Sequence, residues 1–413
     1  MCKINSYLFK ELENLPFGIF NLILEYSQIN DVKIAIVGGY IRDLLIKKIH
    51  KKQTGNFIDL DIIIEGSSLS LAKFIKKNIK NVELCLIKEF DLYNTVELNI
   101  EDIKVDIASA REEIYLAPGL NPSVKDSTIK ADLKRRDFSI NAMAFEIQEQ
   151  ELYDLFDGLN HIKNKELHFL HGKSVEDDPS RILRGAKYAS RLNFNISEES
   201  LTQAQNSIKE WPWKSSENES RIKFPPSISI RLRMELSEIL NNDNLSVVLI
   251  NLYEWDVISL INKNIKVNKK FLRGLSWIKR LNGNLILFLL KDSESLKEQC
   301  ERFYVNKKEK AILDNYFRLK NIIKIESAKY KDYSPSQWTK LIEENHIDSD
   351  AIKLLICDGG LFWKPFFKWL FRYKNIKSNK DGTALMKEGW FEGKAIGEEL
   401  KRLRYLQIDN LKK

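Results

Sequence analysis

Cysteine is scarce in this chain and scattered. Cys2, Cys85, Cys300 and Cys357 are the four in 413 residues, with no C-x-x-C pair, so neither a zinc ribbon nor a disulfide framework is supported. The five histidines (His50, His161, His168, His171, His346) include no H-E-x-x-H and no His-Asp dipeptide. His168 and His171 have a spacing a metal could use, but solvated or core roles are the better reading. A fused phosphohydrolase domain of the His-Asp type is not expected. No apolar run reaches the length of a membrane-spanning helix. The opening segment, MCKINSYLFKELENLPFGIF, lacks an apolar core ending in small residues, so it is a poor secretory signal and a cytoplasmic location is the expectation. Internal repeats and low-complexity blocks are also missing.

What is present reads as a globular protein: 43% hydrophobic and 10% aromatic residues. At 413 residues the chain is too long for one ordinary core, and two to four domains are expected. The net charge of +8 comes from 66 basic against 58 acidic residues, an excess that permits a polyanionic partner without requiring one. Lys and Arg recur beside aromatics in KVNKKFLRGLSWIKR (266–280) and KPFFKWLFRYKNIK (364–377). Each can be an amphipathic helix with a solvated basic face, or a surface for RNA backbone and stacked bases.

Residues 1–30 have the periodicity of amphipathic helix. KIAIVGG (33–39) predicts a buried strand and its turn, YIRDLLIKKI a following helix, and FIDLDIIIEG (57–66) a second strand. SLAKFIKKNIK predicts a helix, and VELCLI, TVELNI and IKVDIASA further strands. Residues 111–134, with Pro118, Gly119 and Pro122, read as loop-rich. SINAMAFEI and ELYDLF predict a strand pair, and from about residue 160 the pattern is helical throughout. Breakers at 211–227 mark a long loop, and KSNKDG (377–382) precedes a last helix. The fold class expected is α+β, an α/β-type head followed by an all-helical remainder.

Asp59 and Asp61 are two apart on a strand, so they point to one face. Two carboxylates among Ile and Leu are costly unless a cation neutralises them. Asp106, in IKVDIASA, is a third candidate. Carboxylates on neighbouring strands can hold two Mg²⁺ ions for in-line phosphoryl transfer. Gly38 and Gly39 lie between a strand and a helix, where backbone N–H groups can approach phosphates. Arg42 and Asp43 follow in the first turns.

VGGYIRD (37–43) with DLD (59–61) resembles the class II tRNA nucleotidyltransferase and bacterial poly(A) polymerase family, within the DNA polymerase β superfamily. The resemblance continues in order through VDIASAREEIY (105–115), DLKRRDFSINAMAF (132–145), DLFDGLNHIKNKELHFL (154–170), EDDPSRILRGAKYASRLNF (176–194) and IRLRMELSEIL (230–240). EGWFEGKAIGEELKRL (388–403) is similar to the family's Gly-rich tail helix. The resemblance implies a catalytic head at 1–150, a helical neck with base recognition at 151–245, a helical body at 246–380 and a tRNA-binding tail at 381–413. It implies that Asp59 and Asp61 bind the metals, assisted by Asp106. It assigns Arg136, Asp137 and Asn141 to the ribose and triphosphate of the bound nucleotide.

In Asp177-Asp178-Pro179-Ser180-Arg181, Pro179 suits the first helical position and Asp178 the cap. Arg181 can meet Asp177 or Asp178 on one face. The resemblance gives the same atoms a second task. A carboxylate accepts from an exocyclic amine and a guanidinium donates to a ring nitrogen. Cytosine and adenine match that pattern, whereas uracil and guanine oppose it. Asp178 and Arg181 are the expected base-reading pair, with Asp177 and Arg184 beside them. The segment departs from the family at Asp177 (usually Glu), Ser139 (Thr), Gly185 (Ala) and Lys187-Tyr188 (Arg-Phe). The expected activity is addition of C and A from CTP and ATP to a tRNA 3′ end. Poly(A) synthesis, CC-only or A-only addition, and a non-catalytic RNA-binding protein are the alternatives. The helical remainder is expected to grip tRNA by shape and phosphate contact.

Overall fold

The computed structural model describes residues 2–51, 59–90, 94–116, 119–209, 211, 226–241, 244–325 and 327–411. They divide into two compact units, one of residues 1–235 with 254–257 and one of 236–253 with 258–413. The first unit carries a seven-stranded mixed sheet, and the remainder of the chain is largely helical, as the α+β expectation required.

The chain starts with two helices, α1 (Cys2–Glu13) and α2 (Ile19–Asn30), where one helical stretch was expected. Pro16-Phe17-Gly18 separates them, with Phe17 and Gly18 both at positive φ. Then come β1 (Ile34–Val37), α3 (Gly39–His50), β2 (Asp59–Ile64) and α4 (Ser68–Asn78). The strands β3 (Cys85–Phe90), β4 (Thr95–Ile100) and β5 (Ile103–Ser109) follow. Residues 111–134, read as loop, contain a hairpin of β6 (Arg111–Ile114) and β7 (Ser123–Asp126) and a short helix α5 (Ile129–Lys134). The hairpin buries charged side chains, Arg111 and Glu113, rather than apolar ones, so it left no hydrophobic alternation to read.

The sheet is completed by β8 (Met143–Glu146) and β9 (Glu151–Asp154), which lies just past residue 150. Its order is β3-β4-β5-β2-β1-β8-β9, and β2 runs parallel to β5 while the other neighbours are antiparallel. Two cores form on its faces. Ile34, Ile36, Leu60, Ile62, Ile64, Val105 and Ile107 join the large core built with α1 to α4. Ala35, Val37, Ile63 and Ala144 face the other way, into a small core with Ile129 and Leu133 of α5. Asp59 and Asp61 have the parity of Ile63, so β2 carries them on the small-core face, where helix cover gives out.

Beyond the sheet lie α6 (Gly158–Asn164), α7 (Ser174–Asp177), α8 (Ser180–Leu192) and α9 (Glu198–Lys209). A two-stranded parallel ladder of β10 (Glu166–Leu167) and β11 (Asn195–Ile196) interrupts the segment expected to be all helical. Next is α10 (Pro226–Leu240). Most of the long loop expected at 211–227 lies outside the described residues. In the second unit, α17 (Ser349–Asp358) packs against α12 (Lys269–Arg280) and α15 (Lys307–Ile325). Buried Lys291 there pairs with Asp358, which also accepts from Tyr316 and Lys320. The basic stretch 266–280 is amphipathic: Gly274, Leu275 and Ile278 are buried while Lys279 and Arg280 face solvent. No helix of the described residues is long and apolar enough to cross a membrane.

Candidate active site

A cavity of about 810 Å³ opens in the first unit, lined by all but two of the candidate site residues. One end is built on β1 and β2. Their register places Val37 opposite Asp61, and Asp61 lies beside Asp106 on parallel β5. Gly38 follows Val37 at φ 70°, a conformation glycine adopts without strain. A Cβ there would lie 2.9 Å from Asp61 Oδ2 and 3.1 Å from Arg136 Nη1. The first glycine is therefore required by the packing of Asp61 and Arg136, beyond the open backbone the sequence suggested. Gly39 begins α3.

Asp61 is held above the usual carboxylate range. Burial is the largest cause; the Arg136 charge opposes it, and Asp59 and Asp106 add repulsion. Neither Asp59 nor Asp61 has an ion pair among the described residues. Asp106 does: Lys104 Nζ lies 2.6 Å from its Oδ2, and it does not line the cavity. No cluster of three or more ligating side chains occurs among the described residues. The donors present are two all-oxygen carboxylates with uncompensated charge, facing a cavity. That suits a hard divalent cation that takes its remaining ligands from water and substrate phosphate.

The middle of the cavity is a hydrogen-bonded chain. Asp132, fully buried in α5, accepts from Arg135 at 2.7 Å and pairs with Arg136 at 3.5 Å. Arg136 Nε is buried with no hydrogen-bond partner, a donor left for a ligand. Arg42 donates to Asn141 Oδ1 at 2.6 Å, and Asn141 Nδ2 donates to Asp137 Oδ1 at 3.0 Å. Burial alone would raise the pKa of Asp137, but Arg184, Asn141 and the Phe138 amide bring it below the usual range.

The other end belongs to α8. Asp178 Oδ1 accepts from the Ser180 amide and hydroxyl at 3.0 and 2.7 Å, which is the cap expected of it. The local ion pair with Arg181 does not form. Asp178 Oδ2 meets Arg184 at 3.3 Å and Arg231 of α10 at 3.4 Å instead. Arg181 is fixed separately, donating to Ser174 O at 3.2 Å and Arg135 O at 2.8 Å, and its Nε is buried without a partner. Both residues are almost fully buried at 4% exposure, so a mismatched group there could not turn to water. Asp177 is not part of the lining; its carboxylate is 3.7 Å from His171.

Residues 34–168 match the family model described as the poly A polymerase head domain. The first unit is therefore similar, over residues 34–168, to a poly A polymerase head domain. Among curated relatives, the A-adding tRNA nucleotidyltransferase of Aquifex aeolicus is 28% identical over 89% of this chain and 44% of its own length. The CC-adding tRNA nucleotidyltransferase of Deinococcus radiodurans is 33% identical over 43% of this chain and 46% of its own. The chain thus spans less than half the length of the curated relatives it matches. In fold, a CCA-adding enzyme in an apo form superposes with TM-score 0.74 at 24% identity, covering 98% of this chain and 96% of that one.

The sequence singled out Gly38, Gly39, Arg42, Asp59, Asp61, Arg136, Asp137, Asn141, Asp178, Arg181 and Arg184, and the cavity brings these together. Glu113, Tyr115, Arg191 and Arg231 were not singled out and also line it, as do Lys187 and Tyr188, noted only as departures from the family pattern. The spacing of Arg181, Arg184, Lys187, Tyr188 and Arg191 on one helix could have found the last turns of α8. Arg231 lies 53 positions from Asp178 and had no local signal. His168 is committed elsewhere: its ring stacks on His161 at 3.7 Å and its Nε2 meets Glu166.

Proposed function

We propose that the chain adds CMP and AMP, from CTP and ATP, to the 3′ end of tRNA without a template, in the cytoplasm. The observation that carries the reading is the pairing of two cation-free carboxylates with a buried acceptor–donor pair in one cavity. Asp59 and Asp61 are the residues that would hold two Mg²⁺ ions, with Asp106 beside them once Lys104 gives way. Bound Mg²⁺ supplies a lowered pKa at the RNA 3′-hydroxyl and charge neutralisation at the departing pyrophosphate. The protein's own part is positioning. Arg136 donates to the triphosphate, Asp137 accepts from a ribose hydroxyl, and Arg42 keeps Asn141 turned toward that ribose.

Base choice follows from hydrogen-bond parity. Asp178 Oδ2 accepts from the exocyclic amine of C or A, displacing Arg184 or Arg231, and Arg181 Nε donates to the ring nitrogen. Uracil would set carbonyl against carboxylate and N–H against guanidinium. Such buried mismatches cost about 1–3 kcal/mol each. The helical second unit, by this reading, binds tRNA largely through phosphates, with affinity that falls steeply with salt.

The test is primer extension on tRNA transcripts ending in -N, -NC or -NCC, with each nucleotide supplied alone. CTP then ATP should be incorporated, and Asp61→Ala should reduce turnover by at least roughly a thousandfold while RNA binding persists. UTP used as readily as CTP would sink the base-reading assignment. A second reading, addition of A alone, rests on the Aquifex aeolicus relative, whose match runs over 89% of the chain. Extension of -NCC alone, with -N left untouched, would select it.

A further inference from the structure

The last turns of α8 form an end of the cavity that the incoming nucleotide does not account for. Arg181, at the base-reading end, and Arg191 are ten residues apart, about 15 Å along the helix axis. Lys187, Tyr188 and Arg191 line this far end together with Tyr40 and Asp43 of α3. Eight of the nine Lys and Arg residues lining the cavity are tied to a carboxylate or a backbone carbonyl: Arg184 and Lys187 to Glu235, for example, and Arg42 to Asp43 at 2.7 Å. Arg191 is the exception. It has no ion pair or hydrogen bond among the described residues, the residue as a whole is exposed although its guanidinium is partly desolvated, and its contact is the ring of Tyr188 at 5.5 Å. Arg42 lies over the same ring at 5.4 Å. Burial and then the Arg42 charge lower the pKa of Arg191, and the attraction of Asp43 and Tyr188 offsets them only in part.

We propose that this end seats the 3′-terminal nucleotide of the acceptor RNA, with Arg191 on the phosphodiester that precedes its terminal ribose. The inference rests on the nucleotidyltransferase reading. The incoming triphosphate is served by Arg136 at the Gly38 end, and the base by Asp178 and Arg181. A strand delivering a hydroxyl to the same carboxylates must bring one more phosphate into the cavity, and Arg191 is the cation left for it. Asp43 opposite excludes a second anion and favours a chain that passes through rather than one that ends there.

The experiment measures binding of a tRNA transcript lacking its CCA end, across a salt series and without nucleotide, for the full chain and for Arg191→Gln and Arg191→Lys. Arg191→Gln should weaken binding about tenfold, the worth of one charge-assisted hydrogen bond. It should also lower the slope of log affinity against log salt by about 1. Arg191→Lys should restore the slope. In extension assays the RNA KM should rise and the CTP KM stay unchanged. A rise in CTP KM with RNA binding unaltered would make Arg191 a triphosphate residue and overturn the proposal, as would no change in either. If the wild-type chain transfers no nucleotide, the proposed activity fails while the binding series still decides this seat.

Discussion

At one end of the head cavity Asp59 and Asp61 stand on a strand with no cation bound to them by any described residue. At the other, Asp178 has both oxygens occupied, by Ser180 on one side and Arg184 and Arg231 on the other. The carboxylate end is buried and crowded with like charge: burial first, then repulsion from Asp59 and Asp106, holds Asp61 above the ordinary range against the pull of Arg136. In the proposed reading this end is completed from outside, by a cation that arrives with the substrate. The base end is largely paired before any ligand comes, with Arg181 Nε the donor left open. In the same reading its hydrogen bonds fix where a base must place its amine, and Asp178 gives up one existing contact for the new one. Reaction and selection therefore call for opposite preparation: unsatisfied charge for the first, satisfied and rigid polar groups for the second.

Gly38→Ala breaks the first end and leaves the second. The added methyl would lie 2.9 Å from Asp61 Oδ2 and 3.1 Å from Arg136 Nη1, on a backbone at φ 70°. Displacing Asp61 by a few tenths of an ångström to one ångström should cost turnover roughly a hundredfold. The ratio of kcat/KM for CTP over UTP should not move. A loss of selectivity equal to the loss of rate would mean the two ends are not separate.

Arg231→Gln does the reverse. Arg231 also donates to Gly119 O at 2.9 Å, so it ties the segment after β6 to the base-reading carboxylate. Without it Asp178 keeps Arg184 and the cap but loses one restraint. The CTP-over-UTP ratio should fall about three- to tenfold, the equivalent of about 1 kcal/mol, while kcat with saturating CTP stays near wild type. A lowered melting temperature with unchanged selectivity would reduce Arg231 to a structural clamp.

The asymmetry also explains what could be read beforehand. Asp59 and Asp61 obey a strand's two-residue period, so their shared face followed from D-L-D alone. The place of Asp61 beside Val37 and Asp106 did not, because it depends on β5 pairing in parallel after two intervening strands. At the base end the local chemistry of Asp178-Pro179-Ser180 fixed the cap. The ion-pair partners of Asp178 came from Arg184 of α8 and from Arg231 of α10, and the short-range pair with Arg181 did not form. Arg181 turns instead to two backbone carbonyls, a choice that depends on where α5 ends. The hairpin after β5 was invisible because it carries no apolar alternation.

Gly185 gives the smallest effect and the closest test of how rigid the base end is. It stands mid-way along α8, where the family has Ala, and a helix gains about 1 kcal/mol from that exchange in isolation. The helix is not isolated there. A Cβ would meet Phe138 Cζ at 3.0 Å and Trp255 at 3.8 Å. Phe138 is fully buried, stacked on Phe169 at 5.0 Å and edge-on to Tyr188 at 5.8 Å, so its ring has little room to retreat. Overpacking of this kind costs about 1–3 kcal/mol, which outweighs the propensity gain. Gly185→Ala should lower the melting temperature by about 2–4 °C for each kcal/mol of net loss. Because Phe138 follows Asp137 directly, the push should appear as a slightly higher CTP KM before it appears in kcat. A rise in melting temperature would mean that Phe138 yields freely. The wall behind Asp137 and Arg184 would then be soft, and the selectivity of this end would have to come from Asp178 and Arg181 alone.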